Sequence, residues 1–238
     1  MNGKFSKAAF GRGSLPVACL LYAGDYVPQR MDWIRDIFDK WSGVKGCSIK
    51  YCFTTKNDTE YLLIFGIYGG ALCFETLRLL RDGGIKKVFF IGSMGAKQLP
   101  IGTLVIPTTV VDRAGIVSVD DPEKENVEIG SESRGKLETV LKALGAEYVA
   151  GKIVSVPCVL HGIDHVKNLV KKDDLILGVE MEVSTFYYFS RKEGLESYAL
   201  LWVSDNRTED LINKSKLRAR AGKRGIRTIT EVALQTMK

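Results

Sequence analysis

Two carboxylates follow apolar runs, at positions where the fold itself has little use for them. Glu182 closes the run Gly178-Val179-Glu180-Met181-Glu182, and Asp205 follows Trp202-Val203-Ser204. An ionised carboxylate has about four lone-pair directions, enough to accept hydrogen bonds from two vicinal hydroxyls at once, and this suits Glu182. Asp205 suits proton delivery to a leaving group. The structural alternative for Asp205 is the N-cap of a following helix. Glycine turns accompany the carboxylates. Gly24 comes directly after the apolar run at 17–23 and lets backbone approach an anion closely. Gly66-Ile67-Tyr68-Gly69-Gly70 and Ile91-Gly92-Ser93-Met94-Gly95-Ala96 permit tight turns against a ligand, and the Ser93 hydroxyl can donate to a phosphate or sugar oxygen. Glycines of this kind serve strand and helix packing equally well.

The elements that must hold these residues read as short β-branched and aromatic runs alternating with segments of helical period, the pattern of a central sheet covered by helices. Strands are expected at 17–23, 61–68, 87–92, 103–112, 152–157, 175–179 and 198–204. Helices are expected at 29–41, 71–82, 131–144, 164–171, 182–192 and 220–237. Runs such as Val88-Phe89-Phe90-Ile91 are apolar without alternation, as strands buried on both faces are. The polar stretch 117–133 reads as a loop. No repeat or low-complexity segment divides the chain, so the expectation is an α/β fold of one domain over 1–238, a mixed central β-sheet flanked by helices.

Composition removes several function classes. The chain has 238 residues, 45% hydrophobic. No apolar stretch approaches the roughly 18 residues of a membrane span, and the run at 17–23 is too short for a signal peptide, so the expected location is cytoplasmic with no membrane partner. Five cysteines without a C-x-x-C pair, and two histidines, argue against a disulfide scaffold and against any metal site. The formal net charge of +6 invites a nucleic-acid partner, but seven cations fall together at Lys214, Lys216, Arg218, Arg220, Lys223, Arg224 and Arg227, with no acid among them. The rest of the chain is near neutral. Arg220, Lys223, Arg224 and Arg227 have helical spacing and read as a solvated face, so no nucleic-acid partner is expected.

Taken together, in order and spacing, these residues resemble the nucleoside phosphorylase and nucleosidase superfamily, whose members cleave the N-glycosidic bond of nucleosides. The resemblance runs from about Ala18 to the C-terminal helix. Its most telling block is Gly69-Gly70-Ala71-Leu72-Cys73-Phe74-Glu75-Thr76-Leu77, then Gly84-Ile85-Lys86-Lys87-Val88-Phe89-Phe90-Ile91-Gly92-Ser93-Met94-Gly95-Ala96, then Ile101-Gly102-Thr103-Leu104-Val105-Ile106-Pro107. The resemblance implies that Glu182 binds the ribose hydroxyls while Met181 packs on the sugar. It implies that Asp205 protonates a purine base with the help of Arg218. Gly24, Ser93 and Arg30 would hold phosphate, and Gly95 and Leu160 would line the substrate, Leu160 standing where the family places a base-stacking aromatic. It also implies a nucleoside and phosphate as partners, no cofactor beyond phosphate as co-substrate, and a homodimer or trimer of dimers.

The chain departs from the family at the phosphate end. The family's arginine two residues before the Gly-Ser turn is Phe90 here, Arg30 falls two residues late, and Tyr68 interrupts a glycine turn. The uracil-recognising Gln-x-Arg signature is absent after Ser155. The sequence therefore points to phosphorolysis of a purine nucleoside to base and ribose 1-phosphate. The alternatives are hydrolysis of a nucleoside or nucleotide, a non-catalytic nucleoside-binding protein, and a nucleic-acid module.

Overall fold

The apolar runs become strands of one mixed, ten-stranded sheet. The computed structural model describes residues 3–24, 28–46, 49–158, 173, 175–206 and 215–238, side chains at 29, 30 and 215 excepted. The strands are β1 (Ala18–Ala23), β2 (Lys40–Trp41), β3 (Lys50–Lys56), β4 (Thr59–Ile67), β5 (Lys87–Ala96), β6 (Leu104–Asp112), β7 (Asn126–Glu128), β8 (Tyr148–Ser155), β9 (Ile176–Glu180) and β10 (Glu196–Asn206). The described helices are α1 (Lys4–Phe10), α2 (Pro28–Asp32), α3 (Gly70–Asp82), α4 (Ile116–Asp120), α5 (Ser131–Ala143), α6 (Val183–Lys192) and α7 (Ser215–Thr236).

β5 is the axis of the molecule. It pairs in parallel with β1 along its first half and with β10 along its whole length. Its last residues also pair antiparallel with β9, Gly95 opposite Val179 and Ala96 opposite Gly178. Since β9 pairs β8, β8 pairs β6 and β6 pairs β10, these strands close into a small barrel, from which β1, β4, β3 and β2 extend as an open sheet. β5 thus outruns β1 and β4, and its segment Gly92–Ala96 stands beyond their carboxyl ends. This creates a rim where ligands of open α/β sheets bind.

Alternation along β5 explains why its run is apolar throughout. Val88, Phe90 and Met94 pack on the side of α3 and α6 with Leu77, Leu80 and Phe186. Phe89 and Ile91 pack on the other side with Tyr198, Trp202, Leu137 of α5 and Ile229 and Val232 of α7. On α3 the fully buried stripe is Cys73, Leu77 and Leu80, while Phe74 sits at its flank against Phe189, ring centroids 4.2 Å apart.

All seven expected strands form, and four of the six expected helices, at 71–82, 131–144, 182–192 and 220–237; the one at 164–171 lies outside the described residues. The helix expected at 29–41 does not form as one piece. α2 gives way to a short 3-10 turn at Arg35–Ile37 and then to β2. Pairing of Lys40 and Trp41 with Thr55 and Thr54 of β3 outweighs the helical period there, helped by the Thr54 hydroxyl donating to the Lys40 carbonyl at 2.6 Å. The stretch expected as a loop at 117–133 contains most of α4 and all of β7, because Val127 is drawn into the core opposite Val110. α1 was not signalled either. Its first amides are held by the Asp82 carboxylate, which accepts from the amides of Phe5 at 2.9 Å and Ser6 at 3.0 Å. None of the described helices is long and apolar enough to cross a membrane.

Candidate active site

Glu182 sits at the N-cap of α6, yet its side chain makes no capping bond. It turns instead to the entrance of α3, where Oε1 accepts the Gly69 amide at 2.6 Å. Other residues take the amides of Glu182, Val183 and Ser184 at the start of α6. Glu180 Oε2 accepts from the amides of Glu182 and Val183, each at 2.7 Å, and Ser155 Oγ of β8 accepts from the Ser184 amide at 2.9 Å. The Ser155 hydroxyl donates to Glu180 Oε1, and the Ser184 hydroxyl donates to Asp112 Oδ1 at 2.7 Å. Glu182 is 6% exposed. Burial pushes its carboxyl well above the usual carboxylate range, and the neighbouring charge of Glu180 pushes it further. Burial also raises Glu180, against the pull of its hydrogen-bond donors. Each of these two buried carboxyls, two residues apart, therefore takes up a proton more readily than it would in water.

Asp205 is placed by a β-bulge. β10 follows β5 in register from Glu196 opposite Lys87 to Val203 opposite Met94, then slips so that Asp205, not Ser204, faces Gly95. A one-residue slip transfers a side chain to the other face of the sheet. Asp205 thereby leaves the face of Val203, which is core, and joins that of Ser93 and Gly95. A Cβ on Gly95 would stand 3.2 Å from Asp205 Oδ1, so the bare glycine is what lets the carboxylate lie across β5. Ser204 Oγ is 3.0 Å from Asp205 Oδ1 and 3.2 Å from the Met94 carbonyl, which fixes the bulge. Asp205 caps no described helix and is half-buried.

Arg218 lies on the first turns of α7. The C-terminal end of that helix meets the start of β5, where the Lys87 ammonium donates to the Met237 carbonyl at 3.1 Å, so its N-terminal turns stand at the Asp205 end of β10. Gly222 and Gly225 press on the Trp202 indole. Arg218 precedes them by four and seven residues and shares their sheet-facing side, whereas Lys216, Arg220, Lys223 and Arg227 fall on the opposite side. Arg227 is bound there to Asp36 at 2.6 Å. Arg218 is exposed there, while the Arg224 guanidinium lies against Gly102, whose amide donates to the Val203 carbonyl of β10 at 2.8 Å.

The phosphate end is less built. Gly24, at φ 85° where only glycine is unstrained, uses its amide to donate to the Ile67 carbonyl at 2.7 Å. Ser93 is exposed at the rim. Arg30 is on α2, but its side chain is outside the described ones, and Leu160 lies outside the described residues altogether. Phe90 is 0% exposed, on the face of β5 opposite Ser93, packed on Phe186 at 5.2 Å between centroids. Among the described residues no cation bonds Ser93, Glu182 or Asp205. Nor do they group three or more His, Cys, Asp or Glu side chains in a way that could hold a metal ion. Phe90→Ala is expected to destabilise the fold by about 3–5 kcal/mol, the cost of emptying a core phenylalanine site, read as a lower urea midpoint.

The sequence profile of the phosphorylase superfamily matches residues 27–233. The chain belongs to that superfamily. No curated protein sequence matches it. Among solved structures, it is similar to a uridine phosphorylase from Vibrio fischeri, with a TM-score of 0.78 at 19% identity over 91% of this chain and 90% of that one. It is also similar to the 5'-methylthioadenosine/S-adenosyl homocysteine nucleosidase of Campylobacter jejuni, with a TM-score of 0.77 at 14% identity over 94% and 99%. A third likeness is to the futalosine hydrolase of Helicobacter pylori, with a TM-score of 0.72 at 17% identity over 93% and 97%. At these identities the likeness establishes the fold.

Within this superfamily fold the structure brings Met181, Glu182, Ser93, Gly95 and Asp205 to the strands around the end of β5, with Arg218 on the adjoining helix. Met181 is buried against Val154, Val156 and Ile176. The residues that the sequence did not single out are Glu180, Ser155, Ser184 and Asp112. Glu180 could have been noticed, because period-two alternation puts it on the same side as Glu182. Ser155 and Asp112 carry no local signal, since their partners lie 25 to 72 residues away in sequence.

Proposed function

We infer that the protein cleaves the N-glycosidic bond of a purine nucleoside, with Glu182 anchoring the ribose hydroxyls and Asp205 donating a proton to the leaving base. The observation that carries this reading is the state of Glu182. It is a buried carboxylate released from capping its own helix and bonded, among the described residues, by one donor, Gly69. Its remaining lone pairs suit a ligand rich in hydroxyl donors, and ribose supplies two vicinal ones. Bond cleavage leaves an oxocarbenium-like sugar and negative charge on the base. Asp205 meets the second need, and Arg218 is suited to orient it.

Water is the better-supported nucleophile. Phosphorolysis requires a desolvated dianion, normally gripped by arginines. Here the corresponding position is Phe90, buried in the core, and the Gly24 amide is already committed to Ile67. Phosphorolysis, which the sequence places first, keeps the support of Ser93 at the rim and of Arg30. Incubation of the protein with a nucleoside panel, with and without phosphate, separates the two readings. Free ribose formed without phosphate supports hydrolysis, and ribose 1-phosphate supports phosphorolysis. Saturable binding without turnover would replace both with a nucleoside sensor.

A further inference from the structure

We propose that Ser155 and Glu180 are positioning residues for the ribose anchor: they occupy the free amides at the start of α6, and so hold the Glu182 carboxylate in the site rather than on its own helix. The inference rests on Glu182 being that anchor. An N-cap side chain ordinarily accepts a hydrogen bond from the amide two or three residues into its helix. For Glu182 the first of these is the Ser184 amide, and Ser155 Oγ takes it at 2.9 Å. The Val183 amide goes to Glu180 at 2.7 Å. Two residues from β8 and β9 therefore perform the capping that the position of Glu182 would otherwise impose on it.

The arrangement is also locked from behind. Ser155 is fully buried, and its hydroxyl proton is directed onto Glu180, leaving its oxygen as the acceptor for Ser184. Ser184, likewise fully buried, spends its hydroxyl on Asp112 at 2.7 Å and offers Ser155 only its amide. Each donor in this chain has one acceptor, so the Ser155 oxygen is the only acceptor bonded to the Ser184 amide among the described residues. Removing it leaves a buried amide unpaired, and Glu182, at the N-cap, is the residue whose side chain ordinarily accepts from that amide. Neither Ser155 nor Glu180 needs to touch substrate to govern binding.

The test combines a crystal structure with kinetics. In Ser155→Ala the Glu182 carboxylate is expected to leave the Gly69 amide and accept from the Ser184 amide. KM for a purine ribonucleoside should rise about tenfold or more while kcat changes less, and the preference for ribonucleoside over 2′-deoxyribonucleoside should fall by a similar factor, because the 2′-hydroxyl loses its acceptor. Glu180→Gln, whose amide oxygen still accepts from Glu182 and Val183, should keep that preference within about threefold, whereas Glu180→Ala should lose it. This pair also serves should Ser155→Ala fail to fold. A Ser155→Ala structure with Glu182 still on Gly69 overturns the proposal whatever the protein's activity. So does a Glu180→Gln variant as impaired as Glu180→Ala, which would make charge rather than geometry the operative feature. If Glu182 moves but the wild-type protein cleaves no nucleoside, the positioning role stands and the enzymatic reading of the site falls.

Discussion

Asp205→Asn is expected to lower turnover of purine ribonucleosides by at least about tenfold, and by as much as about 10⁴-fold if proton donation dominates the barrier. The substitution preserves size and the hydrogen bond from Ser204, so the bulge should survive and the melting temperature should stay close to that of the wild type. The loss should appear in kcat, because an acid that acts on the leaving base works in the transition state rather than in ground-state binding. A substrate whose base departs without protonation should be affected least. Unchanged turnover would remove Asp205 from the mechanism, and the bulge at Ser204 would then need a purely structural explanation.

Glu182→Ala should have an effect of similar size through a different parameter. Two charge-assisted hydrogen bonds to ribose, each worth about 1.5–3 kcal/mol, correspond to a fall in kcat/KM of about 10²- to 10⁴-fold. Glu182→Gln adds a stability test whose sign follows from burial. Both Glu182 and Glu180 bind a proton more tightly in the folded chain than in the unfolded one. The stability they contribute is therefore full in acid and is lost as pH rises through their raised folded values. Glu182→Gln should raise the melting temperature above neutral pH and change it little in mild acid, while activity is lost at both. A melting temperature that is insensitive to the substitution at high pH would mean that Glu182 is not held as a buried, protonated group in the empty site.

What could be read in advance follows physical lines. Strands buried on both faces announce themselves as unbroken apolar runs, and β5 and β10 were legible for that reason, as were the carboxylates at the ends of β9 and β10. The strands at the outer end of the open sheet did not show. β2 and β3 exist because they pair, and the residues around Trp41 have a helical period that pairing overrides. The slip at Ser204 was equally invisible, since register belongs to two strands at once and nothing in Val203-Ser204-Asp205 specifies it. The same holds for the amides at the start of α6. The sequence shows Glu182 directly ahead of a helix, where it looks like a cap, and only the approach of Ser155 from β8 shows that the capping is done elsewhere. Within the basic run, the phase of α7 puts Arg218 on the side of Gly222 and Gly225, apart from Lys216, Arg220, Lys223 and Arg227.

The reaction proposed for this rim is cleavage of a glycosidic bond with Asp205 as acid and water as nucleophile. Its most direct test is a single-turnover experiment with enzyme in excess over a purine ribonucleoside in phosphate-free buffer, quenched at intervals and assayed for free base. Complete release of base together with free ribose is expected, slowed at least about tenfold by Asp205→Asn. Intact nucleoside after prolonged incubation without phosphate, with base appearing only once phosphate is added, would contradict it.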